Sequence, residues 1–132
     1  MAYTFTWEPR GIHARFYGVY AVTELMETFI QISRAPVSLE VSYAILDYTA
    51  VESQSFTEMD ALNVVAFDIG LSRLMPKLRL AVLVHEGHAL EAWRMFMCHH
   101  PIPERYEVFQ SLSGVRSWME DICLPSPAGT LA

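Results

Sequence analysis

Leu78-Arg79-Leu80-Ala81-Val82-Leu83-Val84 is the stretch whose reading decides the fold. All of it but Arg79 is aliphatic, it is bounded by Pro76 and by Gly87, and it is too short for a helix of ordinary length, so it reads as a buried strand. Just upstream, Thr57-Glu58-Met59-Asp60 has the spacing of a capping box, which announces a helix running to about Leu74 before Pro76. Just downstream, Ala89, Leu90, Trp93, Phe96 and Met97 share one helical face, which predicts a third helix over His88–His100.

The same strand and helix alternation extends to both ends. Val41 to Leu46 is apolar, aromatic and β-branched, as a buried strand requires, and it finishes in Asp47-Tyr48-Thr49. Before it, Val22, Leu25, Met26, Phe29 and Ile30 define a first helix, with Thr23 as the expected cap and Glu24 near its positive end. At the start, Tyr3, Phe5 and Trp7 alternate with Thr4 and Thr6. After the turn at Pro9-Arg10-Gly11, Ile12, Ala14 and Phe16 alternate with His13, Arg15 and Tyr17, so the opening reads as an antiparallel hairpin. Tyr106 to Phe109 is a short last strand, and Leu112, Val115, Trp118, Met119 and Ile122 mark a fourth helix. The order ββαβαβαβα defines an α/β fold: a five-stranded mixed sheet, hairpin first and parallel strands after, with four helices. It forms one domain over 1–123, followed by a loose tail at 124–132.

Composition narrows the function classes. The chain has 132 residues, 52% hydrophobic and 18% charged, which is a globular balance for one domain. Its net charge is −6 and no segment gathers the basic residues into a stripe, which argues against nucleic acid and against anionic membrane surfaces as partners. The longest apolar run is far too short to cross a bilayer, and the N-terminus lacks a signal-peptide pattern, so a cytoplasmic protein without membrane insertion is expected. Cys98 and Cys123 form no C-x-x-C pair, and neither a disulfide framework nor a cysteine zinc site is expected.

The pattern as a whole resembles the SpoIIAA-like family, which joins STAS domains to CRAL-TRIO-like domains. The resemblance covers roughly Tyr3 to Met119. It rests on Trp7-Glu8 with Gly11-Ile12, Phe16-Tyr17-Gly18-Val19, Ile45-Leu46-Asp47-Tyr48-Thr49, Leu80 to Val84, Val108-Phe109 and Val115-Arg116-Ser117-Trp118. It implies a coil of successive βα units and a non-enzymatic domain that binds a protein partner, a second copy of itself being one candidate, with a small apolar, lipid-like ligand as the alternative. The antagonist branch of that family is phosphorylated on an Asp-Ser-Ser-Gly motif. The corresponding stretch here is Thr57-Glu58-Met59-Asp60-Ala61, so that mechanism does not carry over directly.

Candidate residues follow from the strand ends, because open parallel sheets bind ligands outside their carboxyl edges. Tyr17, Tyr20, Asp47, Tyr48, His85 and His88 are the expected ligand-binding set. Asp47 and His85 could orient one another in a hydrolase, which is the third functional reading. His85-Glu86-Gly87-His88 fails as a zinc motif, since its histidines stand three apart across a turn rather than four apart on one helix face. No cofactor, metal or catalytic set is expected. Ser53, Ser55 and Thr57 precede or open the second helix, where a phosphate would meet backbone donors, so they are candidate modification sites. The second helix carries two apolar stripes, Leu62, Val65 and Ile69, then Val64, Phe67, Leu71 and Leu74. Since one stripe suffices to pack on the sheet, Val64, Phe67, Leu71 and Leu74 form the candidate partner interface.

Overall fold

The computed structural model describes residues 3–36, 40–54, 57–85, 88–101 and 103–123. Ten elements succeed one another: β1 (Tyr3–Glu8), β2 (Gly11–Tyr20), α1 (Val22–Ser33), β3 (Tyr43–Gln54), α2 (Glu58–Leu74), β4 (Arg79–Leu83), α3 (His88–His99), a 3-10 turn (Pro103–Arg105), β5 (Tyr106–Phe109) and α4 (Leu112–Cys123). The strands lie in the order β1-β2-β3-β4-β5, antiparallel for the first pair and parallel thereafter. The expected α/β architecture is therefore the one observed. The tail at 124–132 and Ser55 lie outside the described residues.

Strand order and handedness together decide where the helices go. Each parallel crossover steps one strand further in the same direction, and crossovers of one hand then deliver every connecting helix to one face. Leu25, Phe29 and Ile32 of α1, Val64, Val65 and Leu71 of α2, and Trp93 and Phe96 of α3 accordingly share one core. They meet Ile12, Ala14 and Phe16, Ala44, Leu46 and Tyr48, and Leu80 and Val82. Among the described residues, α4 is the one helix on the opposite face, and its Val115, Trp118 and Met119 pack on Tyr43, Ile45, Ala81 and Leu83. The period-two alternation of each strand thus divides its residues between a fully covered face and a half-covered one.

Several boundaries differ from the sequence expectation. Helix α1 is capped at Ala21, not Thr23, and the Glu24 carboxylate reaches back to accept the Ala21 N–H at 3.1 Å. Helix α2 is capped as expected: Thr57 Oγ1 accepts the Asp60 N–H at 3.1 Å, and Asp60 accepts the Thr57 N–H at 3.0 Å. Strand β3 continues past Thr49 to Gln54, because two register shifts let β2 follow it through Tyr17–Tyr20. Gly18 sits at the second shift with φ of +59°, a conformation that costs a side-chain-bearing residue about 1 kcal/mol or more.

The doubly striped α2 lies between α1 and α3 and packs on both. Its second stripe is therefore covered largely by the chain itself. Val64 and Leu71 are buried, and the Phe67 ring stacks on Phe29 with centroids 6.2 Å apart, whereas Leu74 is 71% exposed. Of the four candidate interface residues, Leu74 alone is fully exposed, and Phe67 is partly so.

Candidate functional site

Beside α4, no described helix covers the second face of the sheet, whose residues come from the alternate positions of β1, β2 and β3; Arg15 is exposed there while Asp47 is buried beneath its neighbours. His13 and Arg15 stand between Ile12, Ala14 and Phe16 in β2, and Asp47 pairs with Arg15 across the β2–β3 ladder. These side chains meet. His13 Nε2 lies 3.0 Å from Asp47 Oδ2, and Arg15 Nε lies 3.7 Å from the same oxygen. Thr49 closes the other side, its backbone N–H donating to Asp47 Oδ1 at 2.9 Å and its hydroxyl at 2.6 Å.

Burial pushes the Asp47 carboxyl up, but the hydrogen bonds from His13 and Thr49 outweigh it, and the net displacement is below the ordinary aspartate value. Asp47 is thus an anion at neutral pH. An ionised carboxylate accepts only, which makes His13 Nε2 the donor of that bond. Arg15 in turn lies over the Tyr17 ring at 5.4 Å, and the Tyr17 hydroxyl is 3.2 Å from Thr4 Oγ1 on β1.

The border of this surface is pinned by a second charge pair. Arg116 of α4 grips Glu8 at the end of β1 with both nitrogens, at 2.6 and 2.8 Å, and Tyr43 donates its hydroxyl to Glu8 at 2.7 Å. The Arg116 guanidinium holds the Glu8 carboxyl below the usual glutamate range against the opposing effect of burial. The Tyr43 ring lies against Gly11, where a Cβ would collide with it, so glycine is the residue that fits there. The Arg116–Glu8 pair ties the hairpin to the last helix.

The six residues expected at the carboxyl edge are divided by strand alternation. Tyr17 and Asp47 belong to the open face just described. Tyr20 and Tyr48 point the other way, into the helix-covered core, with hydroxyls 3.1 Å apart. Burial pushes both phenols above their ordinary value. His85 is exposed beyond β4. The His88 side chain lies outside the described residues, while its backbone opens α3. Of the modification candidates, Ser53 is exposed near the end of β3 and Thr57 is the exposed cap of α2.

His13, Arg15, Glu8 and Arg116 are not among the site residues expected from the sequence, although Glu8 and Arg116 stand in the stretches that carry the resemblance. The signal for the first two was present, in the alternation of His13 and Arg15 with Ile12 and Ala14. Their role needed the knowledge that only half of that face is covered. Asp68 of α2 is a polar residue that is fully buried. His100 Nε2 approaches it to 2.7 Å and Arg105 donates to it at 3.2 Å, while the other Arg105 nitrogen donates to the Met75 carbonyl at 3.1 Å. This network ties α2 to the segment between α3 and β5.

Among the described residues, no three His, Cys, Asp or Glu side chains gather as metal ligands. Nor is any described helix long and apolar enough to cross a membrane. Compared with protein-family models and with curated proteins, the chain matches none.

Proposed function

We propose that the chain is a SpoIIAA-like binding domain that acts by docking a protein partner, and that it docks through the sheet face beside α4. The one-directional strand order, with three crossover helices on one face, agrees with the coil of βα units that the resemblance implies. The observation that carries the docking reading is the array of Arg15, Tyr17, Asp47 and Thr4. Arginine and tyrosine are the residue types that most often dominate interface energetics. Here both are held in place before any partner arrives, which lowers the entropy lost on binding.

Asp47 and Glu8 are both displaced downward by their hydrogen bonds to His13, Thr49 and Arg116, which makes them fixed negative charges within the docking face. The test is affinity capture from the source cell by the wild type and by an Arg15→Glu/Tyr17→Ala double variant of unchanged melting temperature. Loss of a specific partner by the variant is the expected result. Equal capture by both would remove this face from consideration, and turnover of any substrate abolished by Asp47→Asn would overturn the non-enzymatic reading.

A second reading, carriage of a small apolar ligand, is favoured by one feature. A hollow of about 360 Å³ between α1 and α2 is lined by Ser33, Ala66, Phe67, Gly70, Leu71 and Leu74, within the size range of small-molecule sites. Native mass spectrometry of protein purified from its own cell should then show an adduct that Gly70→Leu displaces.

A further inference from the structure

The outermost strand of the sheet leaves one row of backbone groups unpaired, and the ladders show which row it is. Arg79 donates its N–H to the Ser42 carbonyl at 3.0 Å and stands opposite Tyr43, so the even-numbered residues of β3 turn their backbone groups toward β4. The odd-numbered residues of β3 therefore face β2. Since Ile12 stands opposite Ala44 in that parallel ladder, Ile12 and Ala14 are the ones that bond to them. Gly11, His13 and Arg15 are left to bond β1, where they stand opposite Glu8, Thr6 and Thr4. By elimination, Tyr3, Phe5 and Trp7 turn their N–H and C=O groups outward, and among the described residues no further strand lies beside them.

This edge lacks the features that keep sheet edges apart. β1 pairs with β2 from Tyr3 to Glu8 without a register shift, and it holds no lysine and no proline. Its Trp7 is 45% exposed and touches Phe5 edge-on, with centroids 5.3 Å apart. The far edge of the sheet differs, since β5 has four residues and follows directly on the 3-10 turn that begins at Pro103. Charge also singles out β1. The chain carries a net charge of −6, so two copies repel in general, but Tyr3 to Trp7 holds no charged side chain. Glu8 at the end of the strand is held by Arg116 and Tyr43.

We propose that β1 pairs antiparallel with β1 of a second copy of this chain and so joins the two sheets into one. Outward groups belong to odd-numbered residues, so odd must face odd. The two-fold axis then stands perpendicular to the sheet, and the helix layers of both copies lie on the same side. Centring the axis on Phe5 sets Tyr3 opposite Trp7 of the second copy, and every outward residue then exchanges both of its backbone bonds. Moving the axis to Thr6 sets Tyr3 opposite Pro9, which has no N–H to give. Moving it to Thr4 carries Trp7 past Tyr3, the first residue of the other β1. In the Phe5-centred register Tyr3, Phe5 and Trp7 form a cross-strand aromatic cluster on the helix-covered side, while Thr4 meets Thr6 on the polar side. The pairing uses the edge of the sheet and not the face proposed for docking, so each stands or falls alone.

A contact between single strands is small, so the association is weak and depends on concentration. The experiment combines sedimentation equilibrium of the full chain with amide hydrogen exchange at low and at high protein concentration. The mass should rise toward that of two chains, and exchange at Phe5 and Trp7 should slow about tenfold as it does so. Thr4 and Thr6, already bonded inside the sheet, should exchange as before. Trp7→Pro removes an outward donor and an exposed ring without touching the β1–β2 bonds, and should keep the mass of one chain at every concentration. Trp7→Lys, which keeps the N–H and adds a charge to the edge, gives the same reading should the proline perturb the fold. A wild type that keeps the mass of one chain at about 1 mM, a dimer that leaves exchange at Phe5 and Trp7 unchanged, or a dimer that survives both variants would each overturn the proposal.

Discussion

Asp68 and Asp47 are the same residue type in opposite circumstances, and each is best understood from what it touches. Asp68 is completely enclosed, and its carboxylate faces the Arg105 guanidinium and the His100 ring. Truncating it leaves a buried cation without its partner, so Asp68→Ala should cost about 3–5 kcal/mol in a denaturant melt. A loss under about 1 kcal/mol would show that water readily replaces the carboxylate. The periodicity of α2 could not reveal this role. Its partners lie 32 and 37 residues further on, and a helical pattern reports only which residues share a face. Asp47 has a folded value depressed below its ordinary one, so its contribution is fully present above that ordinary value and is lost as pH falls through the folded value. Asp47→Asn should therefore cost most near pH 7 and least near pH 3. Parallel stability curves for wild type and variant across that interval would contradict the assignment.

Elements were legible where a local signal fixes them. The capping box at Thr57 marks the start of α2 in sequence and structure alike because both of its hydrogen bonds form within four residues. Thr57→Ala should cost about 1 kcal/mol and lower the melting temperature correspondingly. An unchanged melt would mean that Asp60 alone suffices as a cap. The start of α1 lies two residues before the cap expected at Thr23 for a related reason: the Glu24 carboxylate accepts the Ala21 N–H, and Ala21 is the cap. Strand β3 outran its expected end because its last residues, Val51 to Gln54, are weakly patterned and depend on pairing with Gly18, Val19 and Tyr20 across two register shifts. Such pairing is invisible to a reading along one strand. The candidate site suffered similarly. Alternation correctly separated His13, Arg15 and Tyr17 from Ile12, Ala14 and Phe16, but the sequence does not say which face stays bare.

At the scale of the whole molecule, the decisive asymmetry is three helices on one face and one on the other. Among the described residues, that asymmetry leaves the polar half of the sheet without a covering helix, and it also encloses α2 between two neighbours. A helix on a sheet edge needs one apolar stripe, whereas a helix flanked on both sides needs a wider one, which is what the second stripe supplies. Phe67 and Leu71 therefore serve the chain's own core: Leu71 is 3% exposed, and Phe67 is stacked against Phe29. Replacing both by Glu places two carboxylates where the ring and the aliphatic side chain now pack, and large losses follow from buried charge together with lost contacts. The Phe67→Glu/Leu71→Glu variant should be unfolded or melt far below the wild type, at several kcal/mol of lost stability. Leu74→Glu, on the same stripe but 71% exposed, should melt within a few degrees of it, since exposed substitutions typically change stability by about 0.5 kcal/mol or less. Thermal melting combined with sedimentation separates this from the alternative in which the stripe joins two copies. In that case the double variant stays folded at half the wild-type mass, and Leu74→Glu shifts the mass in the same direction.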